Sequence, residues 1–153
     1  MEALFRNIYL WAGVAGWILA EIIKIIIDLF REHKFKPSLL FSSGGMPSSH
    51  SAVVCALCTV IGIRVGMGTP AFAMACVFAY IVMYDAAGVR RAAGEQAKVL
   101  NHLQGEVWSD PEATLKELLG HTPLQVVCGA VLGVLVGFGV NAIFEAAGIP
   151  VMV

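Results

Sequence analysis

The stretch Gly44-Gly45-Met46-Pro47-Ser48-Ser49-His50-Ser51-Ala52 lies where a polar loop turns into a long apolar run, and its reading decides how the rest of the chain is arranged. At a helix start, Ser48, Ser49 and His50 gather free backbone N–H groups, hydroxyl donors and a titratable ring in one place, which suits an oxyanion. The same residues also read as a plain N-cap, since Pro-Ser-Ser before an apolar helix is ordinary punctuation and His50 would then be a surface residue. What separates the two readings is what else the chain brings to this place.

Of 153 residues, 58% are hydrophobic and only 14% are charged, with a mean hydropathy of +0.79. That is too apolar for a soluble domain, and the length suits one small bundle of helices in a bilayer. The expected fold is therefore all-α, a single membrane-embedded domain over 1–153. A formal net charge of -1 without a basic run excludes nucleic acid as a partner, because no electrostatic footprint for a phosphate backbone exists. Cys55, Cys58, Cys76 and Cys128 all fall inside apolar segments, where cysteine behaves as a small hydrophobe. Cys55 and Cys58 have redox-motif spacing but lack the strand–helix setting of such motifs. Met1 to Arg6 leads into an apolar run longer than a signal-peptide core, so a retained anchor is expected.

Four spans are expected. The first, from about Ile8 to Phe30, is long enough to cross a hydrocarbon core of about 30 Å. Glu21, Lys24, Asp28 and Arg31 recur on one of its faces. This ridge is either a set of interfacial ion pairs with Lys24 snorkelling outward, or the polar lining of a site. A second helix is expected from about Ser49 to Met67. A third runs from Pro70 to Tyr84, and its charged end continues as a polar helix to about Leu103. Ser109-Asp110-Pro111-Glu112 opens a short amphipathic helix to Leu119, which Gly120 ends. The fourth span opens at Thr122-Pro123-Leu124-Gln125 and reaches about Ala147, with Gly129, Gly133 and Gly137 on one ridge. Glycines four apart permit close backbone approach, within the bundle or between subunits.

Four spans place the ends of helices one and three and the starts of helices two and four at one membrane face. That face holds Lys24, Arg31, Ser48 to His50, Asp85 to Arg91 and His121. Its loops also carry Lys34, Lys36 and Lys98, which by the positive-inside rule makes it cytoplasmic.

Pro47-Ser48-Ser49-His50, Tyr84-Asp85-Ala86-Ala87-Gly88-Val89-Arg90 and Leu119-Gly120-His121-Thr122-Pro123-Leu124-Gln125-Val126 resemble a known set. They are similar to the divergent branch of the membrane-bound type-2 phosphatidic acid phosphatase superfamily, also described as acid phosphatase/vanadium-dependent haloperoxidase-related. The resemblance covers nearly the whole chain. It implies that Lys24 and Arg31 match a first, phosphate-binding motif, with Glu32 where a proline is usual. Ser48 and His50 match a second motif, with Ser49 in place of glycine, and His121 matches the nucleophile of the third. Gln125 stands where an aspartate would orient His121, and the arginine expected before His121 is missing. The carboxylate expected to substitute is Asp85 or Glu117, and the cation Arg90, with Arg91 second. Gln125 also has a purely local reading, because Thr122-x-x-Gln125 is a capping box.

The resemblance implies a cell-membrane phosphatase acting on a lipid phosphate monoester or pyrophosphate. His121 would attack phosphorus, His50 would protonate the departing alcohol, and Lys24, Arg31, Ser48, Ser49, Arg90 and Arg91 would hold the phosphate. The scheme calls for no metal and no cofactor, and its partners are the lipid phosphate and the surrounding membrane lipids. Two rivals are a non-catalytic lipid-phosphate binder and a structural or assembly protein whose glycine ridge drives association. A transporter fits less well, because the polar groups cluster at one end instead of lining a path. The superfamily usually has six helices, so a homodimer completing the bundle on the glycine ridge is a further expectation.

Overall fold

A computed structural model describes residues 2–32, 45–107, 115 and 120–150. Among these the chain is all helical: α1 (Glu2–Phe5), α2 (Ile8–Glu32), α3 (Ser49–Arg64), α4 (Pro70–Ala87), α5 (Val89–Val107) and α6 (Pro123–Ala146). Three stretches are long and apolar enough to cross a membrane, Ile8–Phe30, Pro70–Leu103 and Pro123–Ala146, and α3 is a shorter apolar helix beside them. Apart from residue 115, the expected amphipathic helix over 109–119 lies outside the described residues, as do the side chain of Arg31, Glu117 and the loop holding Lys34 and Lys36.

The shortest apolar helix is the central one. α3 packs against α2, α4 and α6, and it ends earlier than its apolar run suggests. Val65 donates back to the Ile61 carbonyl at 2.9 Å, and Gly66 then turns the chain with a left-handed φ of 108°. Only glycine enters that region without strain. Thr69 caps α4 by accepting from the Phe72 amide, with Pro70 in the first turn. The long polar extension is a separate helix, because the chain breaks at Gly88 between α4 and α5.

The core lies where α2, α3 and α6 meet, around Ile8, Ala12, Ala56, Val60, Val136 and Phe144. Small residues dominate its contacts. A Cβ on Gly16 would stand 2.9 Å from the Ala52 carbonyl oxygen, so α2 crosses α3 at backbone distance. The glycine ridge of α6 faces α3 throughout. A Cβ on Gly129 would collide with the Ser48 carbonyl oxygen, one on Gly133 with that of Ala52, and one on Gly137 would stand 2.7 Å from Thr59 Cβ. Of the two uses the spacing allowed, the ridge serves packing inside the chain. A second subunit would have to use another face.

Large side chains such as Ile22, Phe78, Ile81, Leu135 and Phe138 point outward, as expected where lipid replaces water as the solvent. At the end of the bundle away from Ser48, Arg64 Nε donates to Asn141 Oδ1 at 2.6 Å and its guanidinium pairs with Glu145 at 3.3 Å. Here α3 and α6 are tied a second time. Cys58 meets Cys76 of α4, with their Sγ atoms 3.4 Å apart, instead of its sequence neighbour Cys55.

Gly133→Ala is expected to destabilise the bundle by about 1–3 kcal/mol through overpacking. Gly139→Ala, whose Cβ meets nothing within 4 Å, should be neutral or slightly stabilising; unfolding of both variants in mixed detergent micelles checks the contrast.

Candidate functional site

Two backbone hydrogen bonds assemble the polar end of the bundle. Ser48 N–H donates to the Gln125 carbonyl at 3.0 Å, joining the start of α3 to the first turn of α6. His121 N–H donates to the Ala86 carbonyl at 2.9 Å, joining the residues before α6 to the end of α4. Gly120 makes the second contact possible. Its φ is 92°, and a Cβ there would run into the backbone of Arg90 and Arg91.

These ties bring the two histidines together, with ring centroids 6.0 Å apart and planes inclined by 58°. His121 is 2% exposed and His50 is half-buried. Beside them lies Lys24, only 4% exposed, so it points into the protein and does not snorkel outward. Its Nζ donates to Glu21 Oε1 at 2.8 Å and to Ser49 Oγ at 3.2 Å. Gly45 lies over the stem of Lys24. The ridge on α2 is therefore inward-facing at its Glu21 and Lys24 positions.

Ser48 is both an N-cap and a wall of the site. Its Oγ accepts from the Ser51 amide at 3.4 Å while the residue itself is fully buried. The amides of Ser49 and His50 belong to the first turn, where an α-helix has no internal acceptor for them. Around this turn, Glu21 Oε2, His50 Nδ1, Ser51 Oγ and both ring nitrogens of His121 are buried and find no hydrogen-bond partner among the described residues. Buried polar atoms are almost always paired, so this concentration makes the start of α3 the candidate site among the described residues.

Of the two carboxylates expected to support His121, Glu117 lies outside the described residues and Asp85 is engaged elsewhere. Asp85 accepts instead from Arg90 Nε at 2.7 Å, and both side chains of that pair are well exposed. Gln125 spends its side chain on the helix start: its Oε1 accepts from the Thr122 amide at 2.8 Å, and Thr122 Oγ1 accepts from the Gln125 amide. The capping box forms as its spacing implied. Arg90 is half-exposed at the rim, and Arg91 is exposed, contributing its backbone as the seat for Gly120.

Two residues join the site that the motifs did not single out. Glu21 is the ion-pair partner of Lys24, and its spacing of three residues along α2 was the available signal. Ser51 has an unpaired hydroxyl, which no local pattern announces.

Residues 5–136 match the "Divergent PAP2 family". The chain belongs to that family. A relative, the uncharacterized membrane protein YuiD of Bacillus subtilis (strain 168), is 42% identical over 146 residues, spanning 86% of this chain and 92% of its own. No solved structure matches. With its three long apolar helices, this divergent PAP2 chain is an integral membrane protein.

Burial holds the His121 imidazole below the usual histidine range, helped by the positive charges of Lys24, His50 and Arg90 and opposed by its neighbour Gln125. A histidine pKa lowered by folding makes protonation favour the unfolded chain, so the neutral ring's contribution is present above pH 6.5 and is lost as pH falls below it. NMR of the ring should give a midpoint below 6.5, and His121→Asn should flatten the acid-side loss of stability.

Proposed function

We propose that this protein is a membrane phosphatase that removes phosphate from a lipid phosphate monoester or pyrophosphate through a phosphohistidine intermediate. The observation that carries this reading is the buried Lys24 set among unpartnered polar atoms of His50, Ser51 and His121. A phosphate is polyanionic and accepts several hydrogen bonds, so it meets the charge of Lys24, the Ser49 hydroxyl and the first-turn amides of α3 together.

In this scheme a neutral His121 nitrogen attacks phosphorus as the bond from phosphorus to the lipid oxygen breaks. His50 gives that oxygen its proton. Water then attacks the phosphohistidine, His50 takes the water proton, and inorganic phosphate leaves with His121 restored. The lowered basicity of His121 keeps its lone pair free near neutral pH. Arg90 and Arg91 stand at the rim as cations for the approaching headgroup, and Arg31 is the further cation implied by the motif. The substrate is an amphiphile, because a site at the ends of apolar helices receives a headgroup whose tail stays in the bilayer. In this reading α3 is a short fourth span, and the excess of Lys and Arg in the loops beside the site supports a cytoplasmic orientation.

One observation favours a second reading, a lipid-phosphate binder without turnover. Among the described residues no carboxylate supports His121, since Gln125 is engaged in its capping box and Asp85 pairs with Arg90. A glutamine can orient a ring but gives an imidazolium no opposing charge.

Phosphate release from a panel of lipid phosphates by the detergent-solubilised protein separates these readings. His121→Ala and His50→Ala are each expected to lose about 100-fold or more, Lys24→Ala should raise KM, and vanadate should inhibit. Release that survives both histidine substitutions contradicts hydrolysis at this site, and tight headgroup binding without release supports the binder.

A further inference from the structure

The seam between α3 and α4 brings two thiols into contact, and we propose that Cys58 and Cys76 form a reversible disulfide, made by an organic hydroperoxide, that clamps α4 to α3. The inference is independent of the phosphatase reading. The two Sγ atoms lie 3.4 Å apart, so a bond of about 2.05 Å requires them to close by roughly 1.4 Å.

Helix register sets this meeting. In the antiparallel hairpin of α3 and α4, each step back along α3 is matched by a step forward along α4. A Cβ on Gly62 would stand 2.9 Å from the ring of Phe72. Cys58, one turn earlier, meets Cys76, one turn later. Cys55 and Ala79, a further turn along each helix, share one buried cluster. The buried positions of α4 are Ala75, Ala79 and Ala86, small residues that let the two helices run close.

Exposure separates this pair from the neighbouring thiol. Cys55 is buried, with its Sγ 3.9 Å from Met83 Sδ, whereas Cys76 is exposed and Cys58 half-buried. A cleft of about 410 Å³ lies beside them, lined by Phe72, Phe138 and both cysteines. Its apolar walls suit an oxidant carried in lipid. Cys76 stands six residues into α4, roughly 9 Å from its start, so it lies near one end of the span and not at its middle.

Two displacements form the bond. The sulfur of exposed Cys76 attacks a peroxide oxygen, the O–O bond breaks, and an alcohol leaves with the thiol proton, which makes Cys76 a sulfenic acid. Cys58 sulfur then attacks that sulfur, the S–O bond breaks, and water leaves with the second thiol proton. The two thiols lose two electrons, and the hydroperoxide gains them as alcohol and water. The clamp acts on a weakly held element, since Pro70–Leu103 is the least buried of the three long apolar stretches. It also bears on the polar end of the bundle, because Ala86 of α4 receives the His121 N–H.

The test treats the full chain in nanodiscs with cumene hydroperoxide, then denatures it and alkylates the remaining thiols. Alkylatable cysteines are expected to fall from four to two, with the Cys58 and Cys76 peptides linked within one chain, and dithiothreitol should restore all four. The oxidised chain should unfold about 5 °C or more above the reduced one. In Cys58→Ala the reaction should stop one step earlier, at a Cys76 sulfenic acid that dimedone traps, and Cys76→Ala should leave the other thiols unoxidised. Four free thiols after treatment, a link through Cys55 or Cys128, or a link between the Cys76 residues of two chains overturns the disulfide. An unchanged unfolding midpoint in the linked chain overturns the clamp.

Discussion

The backbone-to-backbone contact of α3 with α6 is the constraint on which the rest depends. Three glycines on α6 let its axis come so near that the carbonyls of Ser48 and Ala52 occupy the space where side chains would be. The hydrogen bond from Ser48 to Gln125 then fixes the longitudinal register of the two helix starts. Register is what a two-histidine site requires, because one turn of slip would move a ring by about 5.4 Å. The second tie, Arg64 with Asn141 and Glu145 at the other end, prevents the helices from splaying about the first.

Within that frame the polar end costs stability. A buried ion pair such as Lys24 with Glu21 roughly breaks even against its desolvation, and each buried unpartnered polar atom costs about 1–3 kcal/mol. Among the described residues five such atoms lie at this end, on Glu21, His50, Ser51 and His121. Packing alone gives no reason for polar groups at those positions, and the proposed ligand site does. In the proposed function a phosphate headgroup would add acceptors for the first-turn amides of α3 and a second anionic partner for Lys24, which already pairs with Glu21.

Much of this was legible in the residues because helices have a fixed period. The spacing of Glu21 and Lys24 put them on one face, the Thr122–Gln125 interval announced a capping box, and span order sent the ends of four helices to one side. Periodicity names a face but not its partner. It could not say that the Gly129–Gly137 ridge would meet α3, or that Lys24 would turn inward to Ser49. Nor could it say that Asp85 would pair with Arg90. A carboxylate five residues from Arg90 has a local partner at hand across the Gly88 break, and that short-range pairing wins over a reach to His121. The second span was read too long for a similar reason: an apolar run does not show where a glycine with positive φ will end the helix.

The account centres on phosphoryl transfer to a buried, neutral histidine that α6 presents to His50. Rapid-quench labelling tests that claim most directly, with the solubilised protein mixed with a lipid carrying radiolabelled phosphate and stopped in alkali. The account predicts a transient label that is stable to alkali, labile to acid and located at His121, and that is absent from His121→Ala. Phosphate release with no protein-bound label, or label on any other residue, would contradict it.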